Sequence, residues 1–124
     1  MRLWHYKLIP FLPKSQLLAQ WRELNSIFKK QDKHILINYI YEYPKDNLHS
    51  YCLLVMNEMD QRGYKIKAID NFYDYFFGDG RRYLNWIDNN PFPEHHNDRY
   101  LRQCFYNLQE KYDRGQKRLQ CKRI

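Results

Sequence analysis

The residues of this sequence that could do chemistry do not form any of the common catalytic motifs. The chain has no glycine-rich phosphate loop, no nucleophile elbow, and neither an HExxH nor a CxxC motif. The adjacent histidines His95 and His96 suggest a metal site, but neighbouring helix residues point about 100° apart and chelate one ion poorly. We therefore predict two surface histidines and no metal. Two places remain for chemistry, the amino terminus at Met1 and the adjacent pair Arg22 and Glu23.

The pair of Arg22 and Glu23 lies in a segment with the pattern of an amphipathic helix. Ser15 is a suitable cap for this helix, which we expect to end near Phe28. Its apolar residues recur at the spacing of one helix face, namely Leu17, Trp21, Leu24 and Phe28. On such a helix, neighbouring Arg and Glu side chains are ordinarily an exposed pair on the polar face. Only further context would single this pair out as functional.

Two more helices are predicted downstream. The second has an apolar stripe that includes Cys52, and the third has one that includes Cys104. Gly63 and Gly115 stand where a left-handed residue would end each helix. The predicted boundaries are Asp46 or Asn47 to Gly63, and Asn97 or Asp98 to Gly115. Both cysteines should accordingly be core residues.

The segments between these helices look irregular. Residues 35–43 mix β-branched and aromatic side chains, but a lone strand would have no partner, so we expect a turn of helix or an extended connector. Residues 66–93 should form short helical turns in a long wrapping loop, and their aromatic residues should mostly fill the core. The sequence therefore predicts an all-α fold, a compact single domain of three main helices with long connecting loops. The helical domain should span residues 1–113, followed by a basic tail of residues 114–124.

Charge and composition limit the classes of partner. The 124 residues include 21 Lys and Arg against 14 Asp and Glu, which leaves a net charge of +7. The excess is concentrated in the tail and in a cluster of Lys29, Lys30, Lys33 and His34. Polyanions are the expected partners, although such clusters also occur as solvated faces. The sequence lacks a long apolar run, a signal peptide pattern and paired cysteine spacing, so we expect a reduced, cytoplasmic protein that does not enter membranes.

Several short motifs follow one another along the chain. They are Trp21-Arg22-Glu23-Leu24, Lys33-His34, the Arg-Gly-Tyr-Lys-Ile run of residues 62–66, Asn-Trp-Ile at 85–87, Pro-Glu-His at 93–95 and Leu-Gln-Glu-Lys at 108–111. In this order and at these spacings they resemble the pyrimidine-dimer DNA glycosylases of the phage endonuclease V type. The opening Met-Arg-Leu-Trp-His resembles a bacterial branch of that family. The resemblance spans nearly the whole chain and implies a DNA-repair glycosylase with AP lyase activity.

The resemblance implies a covalent mechanism at Met1. Its α-amine would attack C1′ of the damaged nucleotide, release the base and form an imine with the sugar. An α-amine has a pKa of about 7.7–8.0, so an appreciable fraction is neutral near neutral pH, and Arg2 and Arg22 would lower that pKa further. Glu23 would stabilise the positive charge that develops at C1′ and take the 2′ proton in the β-elimination that follows. The implied catalytic residues are Met1, Arg22 and Glu23, and the reaction needs no cofactor.

The resemblance also implies a set of DNA contacts, namely Arg2, Arg22, Lys33, His34 and Lys111, and we add His5 as a candidate that compensates for family contacts missing from this sequence. The expected partner is damaged double-stranded DNA in the nucleoid, bound by a monomer. The tail lacks the aromatic cluster of the phage members, so the lesion is left open between a pyrimidine dimer and another damaged nucleotide. Two other functions also stay open: a non-catalytic basic nucleic-acid-binding module with the same fold, and an interaction protein whose basic tail binds an acidic partner.

Overall fold

The regular secondary structure of the described residues is helical. The computed structural model describes residues 2–31, 33–80 and 83–113. The α-helices in these ranges are α1 Lys14–Lys30, α2 Lys45–Gln61, α3 Ile69–Phe77 and α4 Asp98–Asp113, and two 3-10 helices span Tyr6–Phe11 and Asn38–Glu42. These ranges contain no strand, so the predicted all-α fold is confirmed. No helix in the described part of the chain combines the length and apolar character needed to cross a membrane.

Helix α1 begins directly after Pro13, so the predicted cap Ser15 is wrong. The carbonyl of Pro13 accepts hydrogen bonds from the backbone N–H groups of Gln16 and Leu17 at 3.0 and 2.9 Å, and no side chain caps the helix. Proline suits this position because a helix leaves its first N–H groups unpaired, and proline has none to leave. The helix continues slightly further than predicted and ends before Gln31, whose left-handed φ of 49° stops it.

Helix α2 likewise begins after a proline, Pro44, and has no side-chain cap. The predicted caps Asp46 and Asn47 instead bind the connector that leads to α4. Asp46 accepts a hydrogen bond from the backbone N–H of Asn85 at 2.7 Å, and Asn47 donates one to the carbonyl of Pro91 at 2.7 Å. These two polar side chains therefore fix the long connector against α2.

The predicted end of α2 at Gly63 is confirmed. Gly63 has a φ of 79°, and the backbone N–H of Tyr64 donates to the carbonyl of Met59 at 2.9 Å. This is the geometry of a left-handed C-terminal cap, which glycine adopts without steric strain. The chain then passes over α1, where the indole N–H of Trp21 donates to the carbonyl of Lys67 at 2.7 Å.

The connectors hold the short helices that the sequence predicted. The 3-10 helix Asn38–Glu42 supplies the expected turn of helix, and α3 is a short helix beside the three long ones. The ring of Phe28 on α1 makes edge contacts with Phe72 and Phe76 on α3, with centroids 5.9 and 5.5 Å apart. Both α3 rings are buried, as predicted for core residues, whereas Tyr73 is exposed. Packing of these rings holds α3 against α1.

Helix α4 begins at its predicted cap. The side-chain oxygen of Asn97 accepts a hydrogen bond from the backbone N–H of Tyr100 at 3.0 Å. The predicted stop at Gly115 and the basic tail lie outside the described residues. Cys52 and Cys104 are fully buried, as predicted, in an apolar cluster that draws on all four α-helices and both 3-10 helices.

The two adjacent histidines occupy different environments, and the surface prediction is wrong for His96. His96 is only 1% exposed, shares a 2.6 Å hydrogen bond with the hydroxyl of Tyr39 and stacks on His5. Burial, together with the nearby His5 and His95 rings, lowers the pKa of His96 to about 3, so this ring is neutral. His95 is partly exposed and its Nδ1 lies 2.8 Å from the hydroxyl of Tyr43. The Asn38–Glu42 region covers His96, and the sequence pattern around residue 96 gives no sign of that cover.

Candidate active site

The first residues of the chain are fixed by hydrogen bonds to their backbone. The hydroxyl of Tyr51 on α2 donates to the carbonyl of Trp4 at 2.6 Å, and the hydroxyl of Tyr100 on α4 donates to the carbonyl of Leu3 at 2.7 Å. Burial raises the pKa of both tyrosines, so both hydroxyls stay protonated and available as donors. The side chains of Leu3 and Trp4 are buried in the core. Two helices thus hold this segment in one place.

Gln20 on α1 joins the N-terminal segment to the candidate carboxylate. Its side-chain oxygen accepts hydrogen bonds from the backbone N–H of Trp4 at 2.8 Å and from the hydroxyl of Tyr51 at 3.1 Å. Its amide nitrogen donates to the carbonyl of Arg2 at 3.0 Å and to a carboxylate oxygen of Glu23 at 3.3 Å. The residue is fully buried. A single amide therefore sets the position of Glu23 relative to the start of the chain.

The Glu23 carboxyl lies in an environment that favours its protonated form. Burial raises its pKa, whereas a backbone hydrogen bond from Arg2 and the positive charges of Arg22 and Arg2 oppose the shift. A carboxylate with a raised pKa is a stronger base than an ordinary surface glutamate, which suits it to proton abstraction. Ionisable groups with perturbed pKa values in clefts are typical of functional sites. Glu23 is therefore the strongest candidate for acid–base chemistry among the sequence-predicted residues.

A cleft of about 180 Å³ opens beside Glu23. It is lined by Arg2 and Trp4 from the N-terminal segment, by Gln20 and Glu23 from α1, and by Lys111 from α4. A second cavity of about 240 Å³ shares Arg2, Trp4 and Lys111 with the first. The guanidinium of Arg2 lies over the indole of Trp4, 5.2 Å from the ring centroid. The cleft thus brings together a carboxylate and two cations, as a site for an anionic substrate requires.

Arg22 lines a different groove from Glu23, because consecutive residues on a helix point about 100° apart. This groove has a volume of about 450 Å³, and its cations are Arg22, Lys14, Lys65 and Lys67. Arg22 is exposed there, yet it lies close enough for its charge to act on the Glu23 carboxyl. The structure therefore separates the predicted pair into a cleft residue and a member of a neighbouring basic groove.

The remaining predicted site residues fall in three places. Lys33 and His34 are exposed in the turn after α1, close along the chain to Leu36, which lines the cleft. His5 is 2% exposed and packs between aromatic rings, so its side chain belongs to the core and not to the surface. Met1 lies outside the described residues. Of the predicted residues, Arg2, Glu23 and Lys111 meet at one cleft.

Sequence reasoning missed the residues that hold the site together. Gln20 carried a signal, because it lies three residues after Leu17 and four before Leu24, on the apolar face of α1. A polar side chain on such a face is expected to be buried and hydrogen-bonded. Tyr51 and Tyr100 carried no comparable signal, since their partners are backbone carbonyls 47 and 97 residues away along the chain.

These features define a helical protein with a cation-flanked cleft that is built around its own N-terminal segment and contains a carboxyl group of raised pKa. Within the described ranges, no group of three His, Cys, Asp or Glu residues is placed to hold a metal ion. Residues 1–71 match the family model of the pyrimidine dimer DNA glycosylases, and the chain belongs to this family. Comparisons with curated proteins and with solved structures gave no match. The family is one of DNA-repair glycosylases, and its matched region contains both Gln20 and Glu23.

Proposed function

We propose that this protein is a DNA glycosylase with AP lyase activity that forms an imine between the α-amine of Met1 and the sugar of a damaged nucleotide. The observation that carries the proposal is the junction of Gln20, Glu23 and Arg2. One buried amide binds both the carboxylate and the backbone carbonyl of the residue that follows Met1. A reactive amine and its acid–base partner need this kind of fixed relationship, because reacting groups must approach within about 3–3.5 Å.

Covalent geometry limits the distance between the α-amine of Met1 and the backbone of Arg2. Three bonds separate the α-amine nitrogen of Met1 from the amide nitrogen of Arg2, so the two atoms are at most about 4 Å apart. The same amide group of Arg2 forms a backbone hydrogen bond with Glu23. On these grounds the proposal assigns the amine one residue before Arg2 to the Glu23 carboxylate as its partner.

The chemistry that follows uses only groups at this junction. The neutral amine attacks C1′, the C1′–N bond breaks with its electron pair leaving on the base, and the attacking nitrogen loses a proton. The nitrogen lone pair then forms the imine as the C1′–O4′ bond of the sugar ring opens and O4′ takes up a proton. The Glu23 carboxylate then accepts the 2′ proton, and the electron pair of that C–H bond expels the 3′ phosphate. Before base release, the same carboxylate faces the positive charge that develops at C1′. Its raised pKa favours the proton-transfer step.

The cations around the cleft fit a nucleic-acid substrate. Arg2 and Lys111 line the cleft, the basic groove around Arg22 lies beside it, and Lys33 and His34 are exposed in the adjoining turn. Such groups position a phosphate backbone without reading its sequence. A nucleotide must leave the base stack before an amine can reach its C1′ in the cleft. We therefore propose damaged duplex DNA as the substrate, with a pyrimidine dimer as the first lesion to test.

Borohydride trapping on an abasic-site duplex tests the mechanism, because borohydride reduces an imine to a stable covalent adduct. The wild-type protein should be trapped, and acetylation of the α-amine should abolish trapping, because the nitrogen becomes an amide. Lys111 supplies a competing amine in the cleft, so Lys111→Gln is the matched control and should still be trapped. An adduct that maps to Lys111, or full trapping after acetylation, would refute the proposed nucleophile. Release of the base from a dimer-containing duplex then tests the lesion.

A further inference from the structure

Two large apolar side chains stand in solvent in the turn that follows α1. Ile35 is 86% exposed and Leu36 is 44% exposed, whereas most apolar residues of α1 itself are buried. Single exposed apolar residues are common on protein surfaces and need no explanation. Two adjacent ones at the edge of a functional cleft are a different case, and Leu36 lines the same cleft as Glu23.

The turn that carries them is held in one conformation. The backbone N–H of His34 donates to the side chain of Asn38 at 2.7 Å, and the N–H of Leu36 donates to the ring of His34 at 3.2 Å. The carbonyl of His34 accepts from the N–H groups of Ile37 and Asn38 at 2.8 and 2.9 Å. The side chain of Ile37 is fully buried and anchors the turn to the core. Ile35 and Leu36 are thus presented on a preorganised support.

Charge on this turn matches a nucleic-acid backbone. Lys33 and His34 are both exposed and directly precede the two apolar residues. Lys111 lines the same cleft as Leu36. A duplex held by these cations would place its base stack against Ile35 and Leu36. Apolar side chains inserted between base steps unstack them and kink the duplex.

We propose that Ile35 and Leu36 form a wedge that enters the base stack and fills the space left when the target nucleotide turns into the Glu23 cleft. Leu36 forms the part of the wedge that borders the cleft, and Ile35 forms its exposed tip. The wedge rests on the proposed function, because only an enzyme that takes a nucleotide out of the stack needs one. In this role Ile35 and Leu36 act on the base stack and take no part in proton transfer.

Single-turnover cleavage of abasic DNA tests the wedge on two substrates. On duplex, Ile35→Ala should cleave about tenfold more slowly than wild type, since the duplex must be unstacked. On a single-stranded abasic oligonucleotide, Ile35→Ala and wild type should cleave at the same rate, because little base stacking has to be broken. Ile35→Val keeps a branched apolar side chain and should cleave the duplex at close to the wild-type rate. Tyr83→Ala removes another exposed side chain, one that does not line the cleft, and should leave the rates on both substrates unchanged. Because Ile35 is exposed, its truncation should not shift the thermal midpoint, which serves as the folding control.

A second measurement does not depend on chemistry. A duplex that carries 2-aminopurine beside an uncleavable abasic analogue should become more fluorescent when Glu23→Gln protein binds, because unstacking relieves quenching. Adding Ile35→Ala and Leu36→Ala should remove that increase without abolishing binding. Equal duplex cleavage by wild type and Ile35→Ala, or an undiminished fluorescence increase, overturns the wedge and leaves the proposed function standing. Absence of wild-type cleavage on both substrates instead refutes the proposed function, on which the wedge rests.

Discussion

Replacing Gln20 with methionine should separate the stability of this protein from its activity. Methionine has nearly the same length and volume as glutamine, so the helix and the core can keep their packing. It cannot form the hydrogen bonds that Gln20 makes to Trp4, Arg2 and Glu23. The substitution therefore removes the link between the start of the chain and the carboxylate, while the surrounding helices stay in place.

The expected losses of stability and of reaction rate in Gln20→Met follow from these contacts. The buried N–H of Trp4 loses its partner, which costs about 1–3 kcal/mol in the free energy of unfolding. Tyr51 keeps its 2.6 Å bond to the carbonyl of Trp4, so the segment is loosened and not released. A domain with a stability of about 5–15 kcal/mol remains folded after such a loss. A shift of about 1 Å between amine and carboxylate, however, lowers the rate about 100-fold.

The assay compares single-turnover trapping on an abasic duplex with thermal unfolding of the same samples. Asn25→Leu is the matched control, because Asn25 is a buried amide on the same helix that bonds Trp21 and Asn71 and touches neither the N-terminal segment nor Glu23. It should lower the thermal midpoint by a similar amount and trap at close to the wild-type rate. If Gln20→Met and Asn25→Leu lose activity equally, or if Gln20→Met traps at the wild-type rate, the positioning role of Gln20 is refuted.

Three further predictions follow from charge and burial. Glu23→Gln should keep duplex binding and lose strand cleavage, and it should raise the free energy of unfolding at pH 7 by about 1 kcal/mol, because a buried charge is removed from a functional site. Lowering the pH should destabilise the fold: His96 takes up a proton in the unfolded chain below about pH 6.5 but stays neutral in the folded protein down to about pH 3. Urea titrations should thus show the free energy of unfolding decreasing by up to about 1.4 kcal/mol per pH unit through that window, and His96→Phe should flatten the dependence. DNA affinity should fall steeply with salt, and Lys33→Ala and Lys111→Ala should each reduce the slope of log affinity against log salt by about 1; salt-independent binding would contradict the DNA assignment of these cations.

The helical fold could be predicted because its signals are local. Apolar periodicity located α1, α2 and α4, and the predicted boundaries at Gly63 and Asn97 depended on contacts within a few residues. The predicted caps Ser15 and Asp46 failed for a physical reason. In each case a proline just upstream already offered a free carbonyl to the first turn, so the polar side chain was not needed there.

The candidate site could be predicted only in part. The family resemblance pointed to Glu23 as the carboxylate and to Arg2 and Lys111 as DNA contacts, and all three meet at the cleft. The burial of His96 could not be predicted, because its ring packs against Tyr39, Tyr51 and His5, which lie 57, 45 and 91 positions earlier in the chain, and its own neighbours give no apolar pattern. The separation of Arg22 from the cleft was foreseeable from helix geometry alone, since its side chain points away from that of Glu23.

The proposed use of the Met1 amine as a reactive group imposes a structural demand that the contacts of residues 2–4 meet. Chain termini are ordinarily poorly ordered unless they are tied down. Here one side chain from each of α1, α2 and α4 forms a hydrogen bond with the backbone of residues 2–4. These side chains are Gln20, Tyr51 and Tyr100, respectively. The family match ends at residue 71, yet Tyr100, which bonds the carbonyl of Leu3, and Lys111, which lines the cleft, both lie on α4. The matched region therefore contains the carboxylate of Glu23 and two of the three side chains that hold residues 2–4, whereas the third, Tyr100, and the cation Lys111 are supplied by α4 as it packs against the first described residues.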